Sequence, residues 1–314
     1  MSTEETRLFD QEMQVYLSDP FRGTKERRLL TSGESAMSLE LAAVRDVLAA
    51  AGMNIEEVEL LLSGSFLPDH LGTGNAAYLA QELGLRGAAW NIESACSTAV
   101  VGLQTAFAMV ASGAYENVLL VISCTYSRVH DEAETLGWFM GDGAGAILIG
   151  RVPDNEGVLG SSVIHTGETC GAAWYEAVPG EGRVDIRMRA GATTGKRFRE
   201  TAAPTLRQVC NSAVEKAGVS LDDISAFAFA TPTAWYASFC SKALGVPPEK
   251  AVNYYAYFGN MGPALTTTNL YFAAQSGQVK PGDLVLAYSV GSVSSAGAIV
   301  MRWSDVSLGP KPVL

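Results

Sequence analysis

The chain repeats itself at long range, and this limits its possible folds more than any other feature. Residues 40–62 read ELAAVRDVLAAAGMNIEEVELLL, and residues 206–229 read LRQVCNSAVEKAGVSLDDISAFAF. Both have apolar residues at helical spacing, an Ala-Gly ending, a short acidic turn and an apolar strand. The Ala-Gly pairs stand at 51–52 and 217–218, an offset of 166. Next come helices ending in Leu-Gly at 83–84 and 244–245, offset 161. Helices ending in Ser-Gly follow at 112–113 and 276–277, offset 164, each leading into a buried strand. The closing strands, GAGAILIG from 143 and SAGAIVMRW from 295, are offset by 152. A period this long is not that of a solenoid, whose repeats run to roughly 20–50 residues. It predicts two related halves, each a sheet covered by helices. The expected division is 1–152 and 153–314. A Gly-rich insertion at about 151–200, holding Pro153 and Pro179, is expected to cover something.

Composition removes several functional classes. The 314 residues are 48% apolar and 18% charged, as in a well-buried globular protein. No apolar run approaches the ~18 residues of a membrane span, and the acidic opening MSTEETRLFDQEM lacks the layout of a secretory signal. A net charge of −11 argues against nucleic acid as the main partner. The five cysteines, at 96, 124, 170, 210 and 240, show no paired spacing, which points to a reduced, cytoplasmic setting. Without C-x-x-C or H-x-x-x-H, no metal site is expected. Two basic clusters stand out, KERR (Lys25, Arg27, Arg28) and GKRFR (Lys196, Arg197, Arg199). Each is either a solvated face or a docking patch for an acidic or phosphate-bearing partner.

The duplication directs attention to Cys96, in ESACSTAV. Cys96 lies 17 residues before Gly113, and 17 residues before Gly277 stands Asn260. Each precedes a long helix, so a pseudo-two-fold axis would bring both helix starts to the join between halves, a favoured place for a ligand cleft. The start of a helix favours a thiolate and can lower a cysteine from ~8.5 to roughly 3.5–7.5. Spacing alone leaves two readings open: an inert buried cysteine, or a nucleophile for thioester exchange.

Four motifs decide between them: ACSTAVVGLQTA around Cys96, FMGDGAGAILIG at 139–150, YFGNMGPAL at 257–265, and GQVKPGDLVLAYSVGSVSSAGAIVMRW at 277–303. In this order and spacing the chain, over about residues 20–304, resembles the thiolase superfamily, most closely β-ketoacyl-acyl-carrier-protein synthase III. The resemblance implies an α/β fold of two duplicated halves in five α-β-α-β-α layers. It implies that Cys96 is acylated by acyl-CoA or by a phosphopantetheinyl acyl-carrier protein, with no bound cofactor. It also implies that Asn260 holds the carbonyl of the second substrate, and that the backbone N–H groups of Cys96 and Ser292 form an oxyanion hole. Lys196 and Arg197 fall near a surface used for carrier-protein docking. A homodimer is implied, because the family's strand near the cysteine pairs across a two-fold.

The chain also departs from the family. The His that such enzymes carry at the end of the matching strand of half two falls here on Ala230 or Thr231, in FAFATPTAWYASF. The three histidines, His70, His130 and His165, lie elsewhere, though His130 and His165 could reach a cleft from loops. Asn260 can donate a hydrogen bond but cannot carry a proton. Acylation of Cys96 is therefore expected to survive, while decarboxylative condensation is open to question. Thr231, Thr233, Tyr255 and Tyr257 are candidates to supply a hydroxyl. Glu93, where the family has a small residue, is either a supporting carboxylate or a general base. The family's opening strand is replaced by TRLFDQEMQVYLSDP. The leading expectation is carbon–carbon condensation in fatty-acid or polyketide-type metabolism. The alternatives are acyl transfer to oxygen, nitrogen or sulfur without decarboxylation, and a subunit paired with a second synthase.

Overall fold

The computed structural model of the protein describes residues 4–129, 135–180, 184–291 and 294–312. The first half runs from helix α1 (Glu4–Gln14) through α2 (Ala36–Ala51), strand β1 (Leu60–Phe66), α3 (Ala76–Leu83) and β2 (Ala88–Asn91). It continues with α4 (Thr98–Ala111), β3 (Val118–Thr125) and β4 (Asp142–Ile149). The second half contains β5 (Gly157–His165), β6 (Ala173–Pro179), β7 (Val184–Ala190), α5 (Thr194–Ala217), β8 (Ala226–Phe229) and α6 (Tyr236–Leu244). It ends with the single-turn α7 (Tyr255–Phe258), α8 (Ala264–Gln275), β9 (Leu284–Val290) and β10 (Ser295–Arg302).

The repeat read from the sequence is present element by element. The sheet of half one has the order β2-β1-β3-β4, and that of half two the order β5-β10-β9-β8. In each, one strand pair is parallel (β1 with β3, β8 with β9) and the next antiparallel (β3 with β4, β9 with β10). The helix-ending glycines match in conformation too: Gly52 and Gly218 close α2 and α5 at φ 62° and 69°, a left-handed turn that costs glycine nothing.

Alternating side chains divide the core into layers. Leu61, Leu119 and Val121 face α2 and α3, whereas Leu60, Leu62 and Ile122 face a cluster shared with α4 and α8. That cluster also takes Val285, Ala287 and Ile299 from the second sheet. Phe227, Phe229 and Tyr288, on the other face of that sheet, pack against α5 and α6. The result is the five-layered thiolase-like arrangement, helices–sheet–helices–sheet–helices. A strand covered on both faces is predominantly apolar, and β3 (VLLVISCT), buried along its whole length, runs apolar until its polar end at Ser123 and Thr125.

Two regions break the repeat. The stretch at 151–200 is not wholly an insertion: β5 pairs with β10 along its length and is an integral strand of the second sheet. Only the β6–β7 hairpin stands apart, as a two-stranded sheet of its own. Among the described residues, the first half has no counterpart of β5. Its opening residues form α1, which docks on the second half through Phe9 against Trp235 and Phe239, with ring centroids 4.7 and 5.5 Å away. Asp10 meets Arg199 at 2.6 Å, and Glu12 meets Lys242 at 2.5 Å.

Candidate active site

Cys96 sits in a single 3₁₀ turn, Ala95–Ser97, immediately before α4. Ala95 has φ +50°, a left-handed conformation that side chains other than glycine's disfavour. The turn is held from within. The Glu93 carboxylate accepts the Ala95 N–H at 2.5 Å, the Thr98 hydroxyl donates to the Ala95 carbonyl at 2.6 Å, and it accepts the Ser94 N–H at 2.8 Å. Glu93 thus has a structural task; desolvation raises its carboxyl above the ordinary value, and the Ala95 N–H acts the other way.

The second half closes on this turn from below. A Cβ at Gly291 would lie 2.4 Å from the Ser94 carbonyl and 3.0 Å from the Ser97 hydroxyl, so only glycine lets the β9–β10 loop come so near. Beside it Ser94, Ser97, Ser294 and Ser295 form a hydroxyl cluster across the halves. Ser97 and Ser295 oxygens are 2.5 Å apart and those of Ser94 and Ser294 3.3 Å apart, while Ser94 also bonds Ser295. Ser292, expected to supply a backbone donor, lies outside the described residues, as does His130.

The GDGAGA segment has a geometric explanation. Added Cβ atoms at Gly141, Gly143 and Gly145 would meet the Phe258 carbonyl at 2.1 Å, Met261 sulfur at 2.6 Å and Thr267 hydroxyl at 2.8 Å. The glycines allow α8 and the loop before it to lie directly on β4. Asn260 is fixed there: its N–H donates to the Phe139 carbonyl at 2.6 Å, and its carbonyl accepts the Gly141 N–H at 2.9 Å. Its side-chain oxygen accepts the Gly262 N–H at 2.8 Å, which orients the amide. A Cβ at Gly262 would lie 3.0 Å from Cys124 sulfur and 3.4 Å from the Tyr126 hydroxyl. That hydroxyl is 3.8 Å from the Cys96 sulfur. The Asn260 turn and the Cys96 turn therefore border the same phenol.

The lowered thiol expected from a helix start is not what the resting site holds. Burial pushes Cys96 up to about 11, and the neighbouring Glu93 carboxylate adds to the rise; the Tyr126 hydrogen bond and the cysteine's own N–H act the other way. Desolvation outweighs the favourable field of the helix start.

The other candidates are dispersed. Thr231 is fully buried and accepts from the Asn269 side-chain amide at 3.3 Å; that amide also donates to the Phe229 carbonyl at 2.7 Å, binding the strand end to α8. The Thr233 hydroxyl is buried with no hydrogen-bond partner among the described residues. Tyr255 receives the Thr24 hydroxyl at 3.2 Å, and Tyr257 lies under the Lys25 ammonium. Lys196 pairs with Glu200 along α5, and Arg197 donates to the Cys170 carbonyl at 3.1 Å. Arg27 and Arg28 bond the carbonyls of Gly137, Met140 and Tyr257, stitching the N-terminal segment to the loops around Asn260. His70 stacks on Tyr78, and His165 accepts the Gly167 N–H at the exposed end of β5.

Sequence reading missed the aromatic wall. Phe66 meets the rings of Tyr126 and Tyr175 edge-on at 5.5 Å each, and Ile186 and Met188 of the hairpin join the same cluster. The covering role expected of the 151–200 stretch thus falls to β6 and β7. No motif marks Tyr126 or Tyr175.

The chain is similar to known proteins over most of its length. Residues 90–167 match the family model for 3-oxoacyl-[acyl-carrier-protein] synthase III, and residues 214–303 match the model for its C-terminal part. A β-ketoacyl-[acyl-carrier-protein] synthase III of Gloeobacter violaceus is 30% identical over 290 residues, covering 90% of this chain and 88% of that protein. One from Trichormus variabilis is 29% identical, covering 95% and 94%. The crystal structure of the Thermus thermophilus protein of the same name superposes with a TM-score of 0.82 at 25% identity, covering 90% of this chain and 89% of that one. Among the described residues, no helix is long and apolar enough to cross a membrane.

Proposed function

Because this chain belongs to the 3-oxoacyl-[acyl-carrier-protein] synthase III family, we propose that Cys96 takes an acyl group from acyl-CoA or an acyl-carrier protein and passes it to a second substrate. A ketosynthase III-type condensing enzyme, an acyltransferase, is the class that family membership gives. The observation that carries the finer reading is the strained Cys96 turn, placed where the halves meet and bordered by the Asn260 turn.

In the first half-reaction the Cys96 thiolate attacks the donor's thioester carbonyl carbon. A new C–S bond forms, the donor's C–S bond breaks, and the pantetheine thiolate leaves and takes up the proton that Cys96 gave to solvent. The N–H groups of Cys96 and Ser292 are the proposed donors to the oxyanion. Asn260, with its oxygen occupied by Gly262, presents its NH₂ to the carbonyl of the second substrate. Lys196 and Arg197 remain the proposed carrier-docking residues. The open edge of β2, with Trp90 partly exposed, is the proposed homodimer seam.

The leading reading is carbon–carbon condensation with a malonyl-type thioester. A second reading, transfer to an oxygen, nitrogen or sulfur acceptor, is favoured by Thr231, whose hydroxyl is tied to Asn269 and offers no imidazole for decarboxylation. Turnover with an acyl-CoA panel and a malonyl thioester, followed for CO₂ and product mass, tests both. A β-keto product with CO₂ supports condensation, and consumption of acyl donor with an added nucleophile and no CO₂ supports transfer. Identical consumption by Cys96→Ala would sink both.

A further inference from the structure

We infer that Tyr126 is a catalytic residue of this site, its hydroxyl donating a hydrogen bond to the Cys96 sulfur when that sulfur carries negative charge, both before attack and when the acyl group leaves. This inference rests on the reading of Cys96 as the nucleophile.

The geometry singles out this phenol. Its oxygen lies 3.8 Å from the sulfur, within hydrogen-bond range for a thiol. The side chain is only 5% exposed, so water competes little for the contact. Phe66 holds the ring from one side, and the backbone beneath it is pinned. The Ser127 N–H donates to Asp142 at 2.9 Å, and Asp142 also accepts the Leu30 N–H at 2.7 Å. Arg128 pairs with Asp69, whose carboxylate accepts the Met37 N–H at the start of α2. Three elements thus fix a hydroxyl over the thiol.

The electrostatics suit a donor rather than a base. Burial raises Tyr126 well above the ordinary tyrosine range, and the nearby thiols and Tyr175 add to it. The phenol therefore keeps its proton throughout and serves as a fixed dipole, as an oxyanion-hole donor does. Among the described residues, the titratable groups around Cys96 are Glu93 before its turn, Cys124 in β3, Tyr126 just after that strand, and Tyr175 on β6. Asp142 on β4 stands beyond them. None is a cation, so hydrogen bonding is what these groups offer a thiolate. The residues at the family's His position do not replace it, because Ala230 has no polar side chain and the Thr231 hydroxyl faces Asn269.

The test is the pH dependence of Cys96 alkylation by iodoacetamide, located by peptide mass, in the wild type, Tyr126→Phe and Tyr175→Phe. Phenylalanine keeps the ring packing and removes only the hydroxyl, and circular dichroism with a melting curve verifies folding. For Tyr126→Phe the expected result is a profile moved to higher pH and a rate at pH 8 reduced about 10-fold, the lower end for a bond to a charged group. Loading from acetyl-CoA should fall by a similar factor. Tyr175→Phe, which removes a hydroxyl bonded to the Met188 sulfur and to the Tyr126 hydroxyl rather than to Cys96, should move the profile by clearly less than Tyr126→Phe does, because it leaves the bond to the charged sulfur in place. Superimposable profiles for folded Tyr126→Phe and wild type would overturn the inference, as would an equal shift from Tyr175→Phe. Absence of alkylation or loading at Cys96 in the wild type would overturn the nucleophile assignment and this inference with it.

Discussion

The two halves place their key residues at the same point of the same scaffold and hold them by opposite means. In half one, Ala95 takes φ +50° just before Cys96; in half two, Gly259 takes φ +67° just before Asn260. Glycine takes a positive φ freely, whereas alanine in the left-handed region costs about 1–2 kcal/mol, which the bonds from Glu93 and Thr98 offset. Half one is thus a strained, internally braced turn that aims a sulfur. Half two is an unstrained loop, seated on the glycines of β4, that aims an amide. The duplicated fold brings both helix starts to one seam, and the local residues divide the labour.

Substitutions can break or sharpen that contrast. The largest effect is expected from Cys96→Ala, which should lower acyl loading by at least about 1,000-fold, as loss of a covalent nucleophile does; residual loading by mass spectrometry is the measure. Asn260→Ala should lower the second half-reaction by about 100- to 1,000-fold, the cost of one transition-state donor, and leave loading within a few-fold. Equal damage to both steps, resolved by rapid quench, would show that the halves do not divide the chemistry. Thr231→His should raise malonyl decarboxylation about 10-fold or more, in the range of an added proton-handling group, while destabilising the fold by about 1–3 kcal/mol because a larger side chain enters a filled core. Decarboxylation by CO₂ release and stability by urea melts check the two parts. The smallest effect is expected at Glu93. Its carboxylate disfavours the thiolate, so Glu93→Gln should move the Cys96 alkylation profile from about 11 toward lower pH. A move to higher pH would show that bracing of Ala95, not charge, sets the thiol.

Much of this contrast was legible in the sequence because a duplication is itself a long-range contact map. Pairing Cys96 with Asn260 needed only the glycines at helix ends, and the glycines of GDGAGA mark where one half lies against the other. The reading weakened where a residue's environment comes from distant chain. Glu40 sits in an amphipathic helix yet is fully buried, accepting from Ser123, Ser65 and Asn75. A helix start implies a lowered cysteine, but burial by residues distant in sequence, which no local motif reports, reverses the shift. Strand β5 was hidden because half one has no equivalent among the described residues. Tyr126 was silent because the contacts around it, from Phe66, Asp142 and Asp69, come from residues far apart in the chain.

The most direct measurement is intact-protein mass spectrometry after mixing with acyl-CoA and acyl-carrier-protein thioesters, followed by peptide mapping. The account predicts one acyl mass gain per chain, located on Cys96 and absent from Cys96→Ala. A folded protein that gains no acyl mass from any donor, or gains it at another residue, would contradict it.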